Sequence, residues 1–361
     1  MVSISTPREA NLLTAAYTFH LALGNTLQRQ LIKSSTIYKH LLAMAKSVER
    51  QRRHALPRAT WFDPRLDVTT GKTHSYISAI TDELKRWEKL PDRREPLTVD
   101  MIQWQGLRRL KSEPHSLDAA LTDWHIVGVY AGNRLSEWAQ PDSISTSCGY
   151  ATNRRGKSLA FNLDAVRFFG QNRTRMSRDA ALANPATVVS ADLKWEFQKN
   201  GDNGDERTFV RESAHVSLCC ISALLRVVKR HRALNLPTDH PLAVYSSDGT
   251  TSGEVRLIRE RQITTALRQA ATAVHKLTDA KEIQRFSSHS IRVGACVALH
   301  AAGINIHDIM YALRWKSDSS AKIYLRNLPG QSARMAHAVT NFNPTRLNIC
   351  PAATILASSA A

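Results

Sequence analysis

Two short stretches of the chain carry side chains suited to holding a phosphate. In SSHSIRVGACVALHAAG, His289 and Arg292 stand three residues apart, so a helix would place them on one face. From that face both reach a single phosphate, the guanidinium by a bidentate fork and the imidazole as hydrogen-bond donor or proton acceptor. A solvated helical face would carry the same two letters. In YAGNRLSEW, Arg134 is followed three residues later by Glu137. This is either an intrahelical ion pair or a phosphate-clamping arginine steadied by a carboxylate behind it.

The charge balance names the leading partner. Lys and Arg number 49 against 31 Asp and Glu, a net charge of +18 with an isoelectric point near 10.0. A surplus of that size sits on the surface and attracts polyanions over a Debye length or more. Nucleic acid is the first candidate, an anionic membrane the second, and a basic soluble protein with neither partner the third. Cys148, Cys219, Cys220, Cys296 and Cys350 form no CxxC pair and no zinc spacing with histidine, which suits reduced thiols. MVSISTPREA lacks the charged start and apolar run of a signal peptide, and no stretch approaches the ~18 apolar residues of a membrane span. The expectation is a soluble intracellular protein, in cytoplasm or nucleus, with no membrane partner.

Taken in order, AGNRLSEW, HSIRVGA and RWKSDSSAKIYLRN resemble the three boxes of the tyrosine recombinases, the family of lambda integrase, the Xer proteins and Cre. Gly132, Arg134 and Glu137 match the first box, His289 and Arg292 the second. Trp315, nine residues before Tyr324, matches the third, and thirty-two residues separate Arg292 from Tyr324. HSIRVGA and the Trp variant are most similar to Cre. The resemblance covers most of residues 98–330.

That resemblance implies a reaction. Tyr324 attacks a scissile phosphate and forms a 3′-phosphotyrosyl link, leaving a free 5′-hydroxyl and needing neither ATP nor metal. Arg134 and Arg292 neutralise the non-bridging oxygens, and His289 bonds the phosphate and helps manage the tyrosine proton. Trp315 donates only its indole N–H, so it can hold an oxygen but cannot shuttle protons. Glu137 is a support residue. The family also uses a lysine in a β-hairpin turn to protonate the leaving oxygen. Lys199, at the start of an Asn-Gly turn, is the candidate, and Lys194, inside the strand, its competitor. The expected partners are double-stranded DNA and further copies of the chain, as a tetramer on two DNA sites. A type IB topoisomerase, or a DNA-binding protein that lost catalysis, are the alternatives.

The chain departs from the family pattern at Arg314, where Gly is usual before the His or Trp, an exchange expected to alter the backbone near Trp315. The interval from Arg134 to His289 is also long, and residues Ala151 to Pro185 read as an inserted loop.

These groups need a scaffold. The fold class expected is mainly α with a small β-sheet: an all-helical core-binding domain (1–90), a linker (91–97), a catalytic domain (98–345) and a tail (346–361), closing as a C-shaped clamp on DNA. In the first domain, Leu12, Leu13, Ala16, Phe19, Leu23 and Leu27 recur at helical steps as a buried stripe. Ser34 and Ser35 suit the cap of a second helix buried through Ile37, Leu41, Leu42, Met44 and Val48. A third, from about His74 to Leu90, carries Ile77, Ile80, Leu84 and Trp87. LPDRREPLT reads as the linker, and Thr98 as an N-cap. Residues 116–140 read as helical with a break near Gly132. Residues 191–211 alternate about two Asn-Gly pairs, a hairpin pattern. Helices follow at about 213–232 and 261–277, then short ones from Ser287 to Asn327 turned at Gly303. Tyr311, amid apolar neighbours, reads as core, and His300 and His307 as structural or exposed. The tail PAATILASSAA could be disordered or dock on a neighbour.

Overall fold

The computed structural model describes residues 6–24, 32–53, 62–88, 94–143, 148–198, 201 and 203–325. Expectations for Leu27, Lys199, Asn200, Cys350 and the tail lie outside them. The chain divides into two compact units, Met1–Pro91 and Asp92–Ala361.

The first unit packs α1 (Pro7–Ala22), α2 (Ser34–Arg53) and α3 (Ser75–Trp87) around Ala15, Leu21, Ile37, Leu41 and Ile77. A capping box between Thr6 and Glu9 starts α1. Full burial of Ile37, Leu41 and Ile77 contributes about 1.5–3 kcal/mol each. The stripe expected to be buried on α1 faces outward instead: Leu12, Leu13, Phe19 and Leu23 are exposed, as is Ala16. The inward face is small and polar because Asn11 is spent on the loop that follows α2. Its amide donates to the carbonyls of Pro64 at 3.0 Å and Leu66 at 3.1 Å, and Thr14 and Thr18 line up behind it. Leu42 is likewise exposed, and Trp87 stands 81% exposed with its indole donating to Glu83. Periodicity located these helices but not which of two faces meets the core.

In the second unit α4 (Val99–Leu110), capped by Thr98, packs on α5 (Leu117–Ala131). Gly132, left-handed at φ 56°, ends α5, and α6 (Leu135–Trp138) follows. Then come β1 (Val166–Phe169), β2 (Arg175–Met176), α7 (Arg178–Ala183), β3 (Ser190–Trp195) and β4 (Asp205–Val210), forming one antiparallel sheet in the order β2-β1-β3-β4. The stretch from Ala151 to Pro185 is therefore no inserted loop. It supplies two of the four strands and buries Phe161, Leu163 and Phe168 in the main core. The hairpin of β3 and β4 closes Trp195 on Asp205 and spans residues 196–204, a longer loop than a two-residue Asn-Gly turn. Gly201 and Gly204 take the positive φ values.

The chain continues through α8 (Cys220–Ala233), the ribbon β5 (Val244–Ser246) with β6 (Val255–Leu257), α9 (Glu260–His275), α10 (Ala280–Gln284), α11 (Ser290–Ala301), α12 (Ile306–Leu313) and α13 (Asp318–Leu325). Helix α5 lies at the centre, against α4, α8 and α11. Gly128 lets α11 come close, since a Cβ there would lie 2.5 Å from Ile291. Helices α11 to α13 share a small core of their own: Ala295, Cys296, Ile309, Leu313, Ala321 and Leu325. Tyr311 does not join it. It is 69% exposed, with the Arg207 guanidinium 3.6 Å from its ring centre.

Candidate active site

Two left-handed helix ends build the pocket. The first, Gly132, turns the chain so that Arg134 becomes the N-cap of α6. Glu137, three residues on, takes both the backbone N–H of Arg134 and its Nη1, each at 2.9 Å. Arg134 is thereby fixed at its backbone and at its tip. Its Nη2 donates to the carbonyl of Arg314 at 3.3 Å, and the side chain remains 22% exposed.

The second box arrives on α11. His289 is its N-cap, and Arg292 lies in the first turn, 3% exposed. Arg292 donates to the carbonyls of Gly132, the C-cap of α5, and Leu313, the last residue of α12, so two helix ends meet it. Helix C-terminal carbonyls carry partial negative charge, so they suit a buried cation. Burial first, then the guanidiniums of Arg134 and Arg314, push the pKa of Arg292 down to about 9. It remains charged at neutral pH, and a bound anion would relieve that pressure.

The third box closes the pocket. The guanidinium of Arg292 lies 5.0 Å from the ring centre of Trp315, and Trp315 lies 5.6 Å from the ring of Tyr324. Helix α13 brings the Tyr324 hydroxyl within 2.5 Å of His289 Nε2. Burial, and then the charge of Arg292 and of the more distant Arg94, lowers the His289 pKa and favours the neutral imidazole. Burial raises the Tyr324 pKa, with Arg292 pulling the other way. A phenol held protonated beside a neutral imidazole has its proton acceptor in place.

Arg134, Glu137, His289, Arg292, Trp315 and Tyr324 thus share one pocket, although more than 150 residues separate the first box from the second. Lys199 lies outside the described residues. Lys194 is exposed on β3, next in sequence to Trp195, whose side chain takes the opposite face.

Two further residues belong to the pocket. Trp195 donates its indole N–H to Glu137 at 3.0 Å. Arg314 caps α12 in the left-handed region at φ 54°, the conformation that a glycine takes without strain. The exchange was expected to disturb the backbone, but Arg314 adopts the turn and turns its side chain inward. It donates to Glu137 Oε2 at 2.8 Å, to the carbonyl of Ala131 at 2.9 Å and to Gln198 at 3.2 Å, with its guanidinium 3.8 Å from the ring centre of Trp195. The left-handed strain of about 1 kcal/mol is offset by these bonds. Its signal in the sequence was the missing glycine. Trp195 gave none beyond strand alternation.

Residues 226–330 match the family model described as the phage integrase family. No curated protein sequence matches the chain. Among solved structures, it is similar to the site-specific recombinase XerH bound to its difH substrate, at 13% identity over 92% of this chain and 72% of that one, with a TM-score of 0.47. The Tn1549 transposon integrase in complex with transposon end DNA gives 10% identity, coverage of 94% and 87%, and a TM-score of 0.43. The XerA recombinase gives 13%, 94%, 99% and 0.37 in the same order. The matched segment runs from α8 through both later boxes to the helix that carries Tyr324, so the second and third boxes lie within the phage integrase family model.

Proposed function

We propose that this site-specific DNA recombinase cuts each strand with the Tyr324 hydroxyl. The oxygen of Tyr324 forms a bond to phosphorus as the P–O5′ bond breaks, and the phenolic proton passes to His289. The leaving 5′-oxygen takes a proton from Lys199, the hairpin-turn lysine. Attack by the 5′-hydroxyl of a second strand reverses these steps and frees the tyrosine. One phosphodiester is exchanged for another through the phosphotyrosyl ester, so no external energy source enters.

Arg134 and Arg292 hold the non-bridging oxygens while charge accumulates on them. Trp315 contributes its indole N–H and a flat wall under Arg292. Glu137 acts behind them: its carboxylate is spent on Arg134, Arg314 and Trp195 and takes no proton in the reaction. The observation that carries the reading is the 2.5 Å contact between His289 and Tyr324 in the pocket of Arg292. Double-stranded DNA is the substrate, bound with a strong salt dependence by a chain of charge +18. The acting species is a homotetramer spanning two sites, in the compartment that holds the target DNA.

The test uses nicked suicide duplexes drawn from the DNA flanking the coding sequence, incubated with the protein in EDTA. A denaturation-resistant protein–DNA band is expected with the native chain and absent with Tyr324→Phe. A band that survives in that variant places the nucleophile elsewhere. Relaxation of plasmid without paired-site products would favour topoisomerase action.

A further inference from the structure

A second set of guanidiniums lies at the other end of α5 from Gly132, and the recombination chemistry does not use it. Asp123, fully buried on α5, accepts Arg226 Nε on one oxygen at 2.6 Å and Arg230 Nη2 on the other at 2.7 Å. Arg230 is itself 2% exposed, and its Nε and Nη2 also reach the carbonyl of Pro114 at 3.2 Å. Arg109, in the last turn of α4, faces the same group. Arg226, Arg230 and Asp123 all act on its charge, and burial lowers its pKa. His115, next to Pro114, faces Arg230, Lys229 and Glu113.

The hydrogen-bond inventory of this cluster does not close. Arg109 Nε, Arg226 Nη2, Arg230 Nη1 and His115 Nδ1 are all buried from solvent without a partner among the described residues. Buried N–H donors are ordinarily satisfied, and leaving several unmade in one place is costly. Three guanidiniums also face one carboxylate, so positive charge remains uncompensated in a partly buried site. A tetrahedral oxyanion meets both needs, with several acceptor oxygens and a negative charge. Helix C-termini are the ordinary partners of last-turn arginines, but Arg230 bonds across to α5 and the 114 carbonyl.

We propose that Arg109, Arg226, Arg230 and His115 form a phosphate-binding site, separate from the catalytic pocket. The phosphate is either one of the DNA backbone, remote from the scissile bond, or a free inorganic phosphate that holds α4, α5 and α8 together. The site stands on its own geometry and does not depend on the chemistry assigned to Tyr324.

The test has two arms. Thermal melting is followed in Arg134→Gln, which disables the catalytic pocket, and in Arg134→Gln/Arg109→Gln, with inorganic phosphate or chloride at matched ionic strength. In the second arm, duplex binding against salt is compared for Tyr324→Phe with and without Arg109→Gln. In chloride alone, Arg109→Gln is expected to melt at or above its parent, because it removes an unpaired charge repelled by its neighbours. A free-anion site predicts that phosphate raises the melting point of the parent and not of the Arg109→Gln variant, with the salt slope unchanged. A backbone contact predicts a slope shallower by about 0.9. A variant that melts lower in chloride shows that Arg109 already has its partner within the protein, and overturns the site. So does the absence of both the phosphate effect and the slope change.

Discussion

His289 Nε2 and the Tyr324 hydroxyl lie 2.5 Å apart on separate helices, α11 and α13, that share one small core. The two pKa shifts run in the directions that keep a phenol beside a neutral imidazole.

This sets the pH dependence of strand cleavage. A histidine whose folded pKa is lowered stays neutral until the pH falls below its ordinary range. Single-turnover cleavage should therefore show an acid limb with its midpoint below about 6.5. His289→Gln should lose that limb and run roughly 100-fold slower at pH 7. A limb that persists in the variant would assign the titration to another group.

Arg314 should matter to the rate more than to DNA binding. Arg314→Gly relieves the left-handed turn but removes one partner from a carboxylate that is 3% exposed. Leaving that acceptor short is expected to cost about 1–3 kcal/mol of stability. Cleavage should fall roughly tenfold or more, as Glu137, the shared anchor of Arg134 and Trp195, loses its third partner, with duplex affinity unchanged. The effects of Arg314→Gly and Glu137→Gln should combine less than additively, since they break one contact. Full additivity in melting and cleavage would separate the two residues.

Gly132→Ala tests the close approach at the first box. A Cβ there would lie 2.2 Å from Leu313 on a backbone of φ 56°, and the Gly132 carbonyl holds Arg292. Loss of cleavage with a lowered melting point is expected. Native activity in this variant would show that the junction of α5 and α12 yields freely.

Buried neutral histidines make the fold sensitive to acid. Burial drives His125 down to about 3 and His231 to about 4. Their unfolded forms take up protons near 6.5, so the unfolded chain binds more protons below that pH and stability falls as pH falls. Each group contributes a slope of up to about 1.4 kcal/mol per pH unit between 6.5 and its folded value. Denaturant unfolding from pH 7 to 4.5 should show this decline, and His125→Gln should flatten it. An unchanged slope in the variant would remove His125 from the account.

The sequence revealed the site better than it revealed the surfaces. Fixed spacings picked out Arg134, Glu137, His289, Arg292, Trp315 and Tyr324, which the fold gathers in one pocket. The helices of the second unit were legible from Thr98, Gly132 and Gly303, whose side chains or conformations mark ends. Facing was not legible. On α1 the polar Asn11, Thr14 and Thr18 went inward because loop carbonyls needed a donor, which no periodicity records. Tyr311 read as core from its neighbours, yet it is held outside by Arg207 on β4, more than a hundred residues away. Arg314 showed itself only as a departure from glycine, with its partner Glu137 far off in the chain.

The helix that carries Tyr324 rests on a hydrophobic cluster of its own, built from α11, α12 and α13, rather than on the larger core around α5. Lifting it off would expose only a few side chains, a far smaller outlay of free energy than melting the domain. Tyr324 can therefore move away while Arg134, anchored through Glu137 to the sheet, and Arg292, on the α11 that packs against α5, keep their places.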